Sequence, residues 1–271
     1  MFVIQLFMRH IYLLFLLFTV QSHSQNHLDF YFKSRNVKGG IVIRNEEGNY
    51  YASNNELEPN RYYPPAATFN IFNYLLVKYY QDKNQLTDVL PWDGVKRHFF
   101  NEVQLDWNKN TNVNEAFLTN NDWYFQEYLN KLPQKYVSNV LEQIKYTNSS
   151  WNSEIPYYWQ FGGLLCSSDQ QISFLKKLRN NELPFNTNHQ KELIELMKVS
   201  SKGGLDLYGI DGHTVYLGER VEWFIGFLEK DSKRYYFSIR TYFSIEEEWN
   251  ATNSNYKYDI LSDIFDSLHL I

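Results

Sequence analysis

The chain has 271 residues, a net charge of −5, 44% hydrophobic and 18% aromatic residues. That length makes one large domain or two closely packed lobes, and the apolar share is enough for a core. The charge leaves no broad basic field, which argues against a nucleic-acid partner.

The N-terminus reads as a secretory signal over residues 1–24. Arg9 and His10 precede the apolar run Ile11 to Val20, and Ser22 and Ser24 supply small residues before a cleavage site, leaving 25–271 as the mature domain. The run is short for a membrane span, so a retained anchor is the alternative. Cys166 is the only cysteine, so no disulfide forms within the chain. These features together point to export, to a bacterial periplasm or outer surface. Its small, apolar setting, Gly162-Gly163-Leu164-Leu165, marks Cys166 as buried filler rather than a nucleophile.

Gly40 to Arg44 and Tyr50 to Ala52 are β-type runs around a turn at Asn45 to Gly48. Pro64 and Pro65 bring the chain in extended, and Thr68 to Tyr80 then has helical spacing, with Phe69, Phe72, Leu76 and Tyr79 on one face. Further helices are predicted over Asp122 to Leu132 (stopped by Pro133), Lys135 to Ile144, Ser168 to Arg179 and Asn188 to Met197. Thr214 to Leu217, Val221 to Leu228 and Arg234 to Tyr242 are strands, the last two joined by a turn at Lys230 to Lys233. Tyr258 to Leu268 closes the chain as an amphipathic helix. Strands at both ends with helices between predict an α/β (α+β) fold: an antiparallel sheet flanked by terminal helices, with an inserted helical lobe.

The seven histidines form no close pair at metal-ligand spacing, and no glycine-rich phosphate loop appears, so neither a metal nor a cofactor is expected. Tyr157-Tyr158-Trp159 could serve as a stacking platform for sugars, or could pack the wall of a cleft.

Several local strings resemble the class D β-lactamases and the related penicillin-sensing domains. Pro65-Ala66-Ala67-Thr68-Phe69-Asn70 is similar to that family's Pro-Ala-Ser-Thr-Phe-Lys. Trp92-Asp93-Gly94 matches Trp-Asp-Gly, and Tyr146-Thr147-Asn148 falls where the family has Tyr-Gly-Asn. Trp159, the helix from Asp169 to Leu175, Ser201-Lys202-Gly203-Gly204 (for Ser-Lys-Thr-Gly) and the strand Glu222 to Glu229 follow in family order. The resemblance implies a serine β-lactamase/penicillin-binding transpeptidase-like fold from about Gly40 to the C-terminus. It implies a serine nucleophile, a carbamylated lysine as its base on the next helical turn, a tryptophan supporting the carbamate, and a Lys-Thr-Gly strand holding the substrate carboxylate.

On that resemblance the reactive positions are changed. Ala67 has no oxygen to acylate, and the amide of Asn70 is no general base near neutral pH. The family's Ser-x-Val element falls on Asn120-Asn121-Asp122, and Gly203 stands for the threonine. A late arginine maps near Lys257. The site is thus expected to be vestigial at Ala67, Asn70, Asn120 and Asp122, with Tyr146, Asn148, Trp159, Lys202, Gly203, Gly204 and Lys257 left to bind. Two functions follow. One is a silent relative that holds a peptidoglycan peptide, a β-lactam or an envelope protein non-covalently; the other is a β-lactam hydrolase with an unconventional nucleophile.

Overall fold

The computed structural model describes residues 28–47, 50–53, 58–99, 102–147, 151–246 and 251–271. The signal reading for 1–24 and the binding role expected of Asn148 lie outside the described residues. Among the described residues, no helix is long and apolar enough to cross a membrane.

Strands β1 (Lys38–Asn45) and β2 (Tyr50–Ser53) form a hairpin at one edge of the main sheet. At the other side β5 (Lys198–Lys202), β6 (Leu205–Tyr216), β7 (Glu219–Lys230) and β8 (Lys233–Ser244) are consecutive. Their three connections are two-residue turns at Gly203-Gly204, Leu217-Gly218 and Asp231-Ser232, and all six residues have positive φ, from 49° to 82°. Both central residues at positive φ define the primed turns whose twist suits a hairpin. The strand order is β2-β1-β8-β7-β6-β5, antiparallel throughout. A separate small hairpin pairs β3 (His98–Phe99) with β4 (Glu102–Val103).

Strand β7 is buried from Val221 to Leu228, because both faces of the sheet are covered. Val221, Trp223, Ile225 and Phe227 enter the larger core beneath the helical lobe. Phe224 and Leu228 enter a second core closed by a helical segment over 28–33 (α1) and by α8 (Ala251–Ser267). The lobe comprises α2 (Asn70–Asn84), α3 (Val113–Leu118), α4 (Asp122–Leu129), α5 (Gln134–Ile144), α6 (Ser168–Arg179) and α7 (Thr187–Leu196). The architecture is the one expected from the sequence: an antiparallel sheet, terminal helices on one face and an inserted helical lobe on the other.

Helix starts follow side-chain chemistry. Ser167 caps α6 and forms a reciprocal capping box with Gln170. Val137, Val140, Leu141 and Ile144 make the buried face of α5. Several boundaries differ from expectation: β6 begins at Leu205 rather than Thr214 and α8 at Ala251 rather than Tyr258, and two differences have a local cause. Thr68 donates its hydroxyl to the Pro65 carbonyl, so Ala66–Phe69 winds as a tight 3-10 turn and the α-helix begins only at Asn70. α4 ends at Leu129, where i→i+3 bonds from Lys131 and Leu132 tighten the chain before Pro133.

Candidate functional site

The Ala66–Phe69 turn is clamped between the sheet and the lobe. The Trp223 indole donates to the Pro64 carbonyl at 3.0 Å, and Ala66 N donates to the Trp159 carbonyl at 2.9 Å. From below, Gln171 donates to Thr68 Oγ1 at 2.7 Å. The hydroxyl of Thr68 is therefore committed on both sides and is buried. Ala66 is held at φ 55°, a left-handed conformation that costs a residue with a Cβ on the order of 1 kcal/mol. Strand β6 presses on the same turn at Gly212: a Cβ built there would stand 2.7 Å from Ala67 N and 2.8 Å from Thr68 N. Only glycine lets two backbones approach so closely.

In front of Ala67 opens a cavity of about 310 Å³, with Asn120, Asp122, Gln160, His213 and Arg220 among its walls. Asn120 sits in a turn at φ 48° before α4, and Asn121 caps that helix by accepting from Tyr124 N. The helix thus begins with Asp122 facing the cavity, 2% exposed. Asp122 Oδ1 accepts the Trp159 indole N–H at 3.0 Å, and Oδ2 accepts Gln160 Nε2 at 2.7 Å. Burial pushes its carboxyl up to about 6, against the pull of the Trp159, Gln160 and Asn70 donors. Asn70 takes part from the next turn of the chain. Its Oδ1 accepts from Asn73 at 3.0 Å, which leaves Nδ2 turned toward Asp122, favouring the carboxylate from beyond ordinary hydrogen-bond geometry.

Ala67, Asn70, Asn120, Asp122 and Trp159 are therefore brought together. The resemblance expects Trp159 to support a lysine carbamate; here its indole serves the carboxylate of Asp122 instead. Trp159 is fully buried against Phe69, with ring centroids 6.2 Å apart, so it packs the cleft wall rather than offering a face to a sugar. Tyr146 lies beneath the site, not in it. It is fully buried against Phe72 and Phe174, and its hydroxyl donates to Gln171, the residue that fixes Thr68.

Three expected binding residues stand elsewhere, which corrects the sequence reading. Lys202, Gly203 and Gly204 are exposed at the β5–β6 turn, where Gly203 and Gly204 supply the two positive φ angles. Eight residues of extended chain, about 26 Å, separate Gly204 from Gly212. The strand segment facing Ala67 is Ile210-Asp211-Gly212, so the place expected for a lysine carries a buried isoleucine. Lys257 is also corrected. It is fully buried on α8, bonded to Glu222 at 3.1 Å and 4.0 Å from Asp211, and it is not among the residues that line the cavity. Glu222 shares its side of β7 with Phe224, the side that packs on α8, because strand side chains alternate.

The family described as penicillin binding protein transpeptidase domain matches residues 39–265. The chain belongs to this family. Within it, the chain is 30% identical over 224 residues to "Beta-lactamase OXA-20" of Pseudomonas aeruginosa, covering 81% of this chain and 80% of that one. Its structure resembles the class D β-lactamase YbXI from Nostoc with a TM-score of 0.78 and 25% identity, covering 90% of this chain and 99% of the other. The C-terminal domain of the Bacillus licheniformis BlaR penicillin-receptor shares the fold, with a TM-score of 0.76, 23% identity and coverage of 90% and 95%. Penicillin-binding transpeptidase-family architecture thus covers catalytic and receptor proteins alike, and function must come from the site.

Sequence reasoning missed Gly212, Gln160, His213 and Arg220. The Leu217-Gly218 turn directly before the Glu222 to Glu229 strand was the available signal, since it makes β6 the hairpin partner of β7.

Proposed function

We propose that the chain is an exported, catalytically silent member of its family that binds a cell-wall peptide, a β-lactam or an envelope partner non-covalently. One observation carries this reading: the residue presented to the cavity by the clamped turn is Ala67, which has no nucleophilic atom. The neighbouring hydroxyls support it. Thr68 is bonded to Pro65 and Gln171, and Thr119 donates to the Glu115 carbonyl at 2.8 Å. Cys166 is fully buried, with its thiol pushed up by burial, and is no substitute nucleophile. Asn70 adds no base, because an amide nitrogen takes up no proton near neutral pH and its Oδ1 already accepts from Asn73.

The test is the intact mass of the protein quenched after mixing with a penicillin, read with the hydrolysis rate of a chromogenic β-lactam in the same sample. Unchanged mass and no turnover are expected. An adduct or steady turnover would establish the alternative, a hydrolase with an unconventional nucleophile, and peptide mapping would locate it.

A further inference from the structure

Asp122 is a buried carboxylate with no countercharge. Its partners, Trp159, Gln160 and Asn70, are all neutral, and no described lysine, arginine or histidine forms an ion pair with it. Buried charges in proteins are ordinarily paired, because desolvation is repaid only by an opposite charge or a metal. Here the carboxylate also lines a cavity rather than a sealed core. Near neutral pH it is mostly ionised.

A second group in the same wall asks for the same kind of ligand. Gln160 is 1% exposed and lines the cavity. Its Nε2 is directed at Asp122, an assignment the chemistry dictates because an ionised carboxylate accepts only donors. That orientation leaves Oε1 as a buried acceptor without a hydrogen-bond partner. The amide is held at Asp122 by its own Nε2 bond, and the Thr214 hydroxyl anchors the Gln160 backbone carbonyl beneath it at 2.6 Å. A charged acceptor served by neutral donors only and a neutral acceptor with no donor therefore share one wall of the cavity.

We propose that this cavity recognises a primary ammonium group, such as the free amine of a peptide, held between the Asp122 carboxylate and Gln160 Oε1. An ammonium carries three donors and one positive charge, which answers both demands at once. The rings of Phe99 and Trp107 in the wall suit the alkyl stem of such a group. A ligand carboxylate at the same point would meet like charge. The inference rests on the non-covalent reading of the cleft and names the chemistry that the cleft selects.

The test compares n-butylamine with n-butanol, equal in length and differing in charge, by NMR titration of the tryptophan indole resonances. At pH 7.5 the amine is expected to bind at least tenfold more tightly and to shift the Trp159 indole signal. That preference should vanish at pH 4.5, where Asp122 is protonated, and in Asp122→Asn at pH 7.5. The other titratable or charged groups facing the site are Tyr157 beside Trp159, His213 on β6 and Arg220 on β7. Burial holds the His213 imidazole below its ordinary range, and it faces the same cavity, so Asp122→Asn is titrated at both pH values to separate the two groups. Equal binding of amine and alcohol, binding of neither, or a preference that survives in Asp122→Asn overturns the proposal. If the variant does not fold, the pH comparison on the native protein decides. No penicillin adduct together with no amine preference sinks only this inference; an adduct sinks the silent-cleft reading.

Discussion

Gly212 on β6 touches the backbone of Ala67, so close that a Cβ would sit 2.7 Å from Ala67 N. This contact sets the sheet against the turn that opens the cavity. The same turn is tied to the helical lobe by the bond from Ala66 N to the Trp159 carbonyl, and it runs directly into Asn70.

Gly212→Ala should therefore force the turn away from β6. Thr68 N is also within 2.8 Å, so the obstruction is backbone and no side chain can move aside. We expect a loss of about 1–3 kcal/mol, the usual scale for overpacking. Gly203→Ala makes the control. It meets nothing within 4 Å and costs only its φ of 59°, about 1 kcal/mol, with the cavity unchanged. Urea unfolding of both variants measures the difference. Equal losses would show that Gly212 carries no special contact.

Asp122 makes stability depend on pH in an unusual direction. Its folded value is raised from 3.8 to about 6, so the native state binds the proton more tightly than the unfolded chain does. The stabilisation from the neutral acid is complete below about 3.8 and is lost as pH rises to about 6. The size of the loss is of order 3 kcal/mol by linkage. Asp122→Asn lacks this term, so its stability relative to the native protein should improve between pH 4 and pH 7. Glu229 and Glu192, whose carboxyls are lowered by arginine, lysine and amide partners, behave oppositely in both proteins and cancel in the difference. Thermal unfolding of the pair across that range gives the answer; parallel curves would contradict it.

Lys257 and Glu222 are a pair that neither partner can leave. Both are buried, at 0% and 1% exposure, with 3.1 Å between Nζ and Oε2. Lys257→Met should cost roughly 3–5 kcal/mol, because it removes the ammonium bonded to a buried carboxylate. Adding Glu222→Leu should recover most of that loss. A single-variant cost below about 1 kcal/mol would mean that Glu222 finds water or another partner.

Introducing the serine and lysine that the family resemblance implies is expected to give no acylation while Asp122 is present. In the double variant Ala67→Ser/Asn70→Lys, the new ammonium arrives where Asn70 Nδ2 now faces the Asp122 carboxylate. Paired there it stays protonated, and a protonated amine is neither a base nor open to carbamylation. No penicillin adduct should appear in the intact mass within minutes. An adduct would show that the pair does not form.

Local chemistry was legible in the chain. The Asp231-Ser232 turn, the apolar face of α5 and the Ser167 cap all follow from neighbours within a few residues. Such features depend on φ preferences, helical period and side-chain atoms, which any short window displays. Long-range register is different. Ser201 to Gly204 and Ile210 to Gly212 belong to the same hairpin, and the choice between them rests on how far β6 slides along β7 before meeting the helical lobe. The twelve-residue pairing of β6 with β7 and the close contact at Gly212 settled that choice. In the same way, the sequence shows that Asp122, Trp159, Lys257 and Glu222 exist, but not which charge faces which. Only packing placed the Trp159 indole on Asp122 and sealed Lys257 against Glu222, because burial and pairing are properties of residues far apart in the chain.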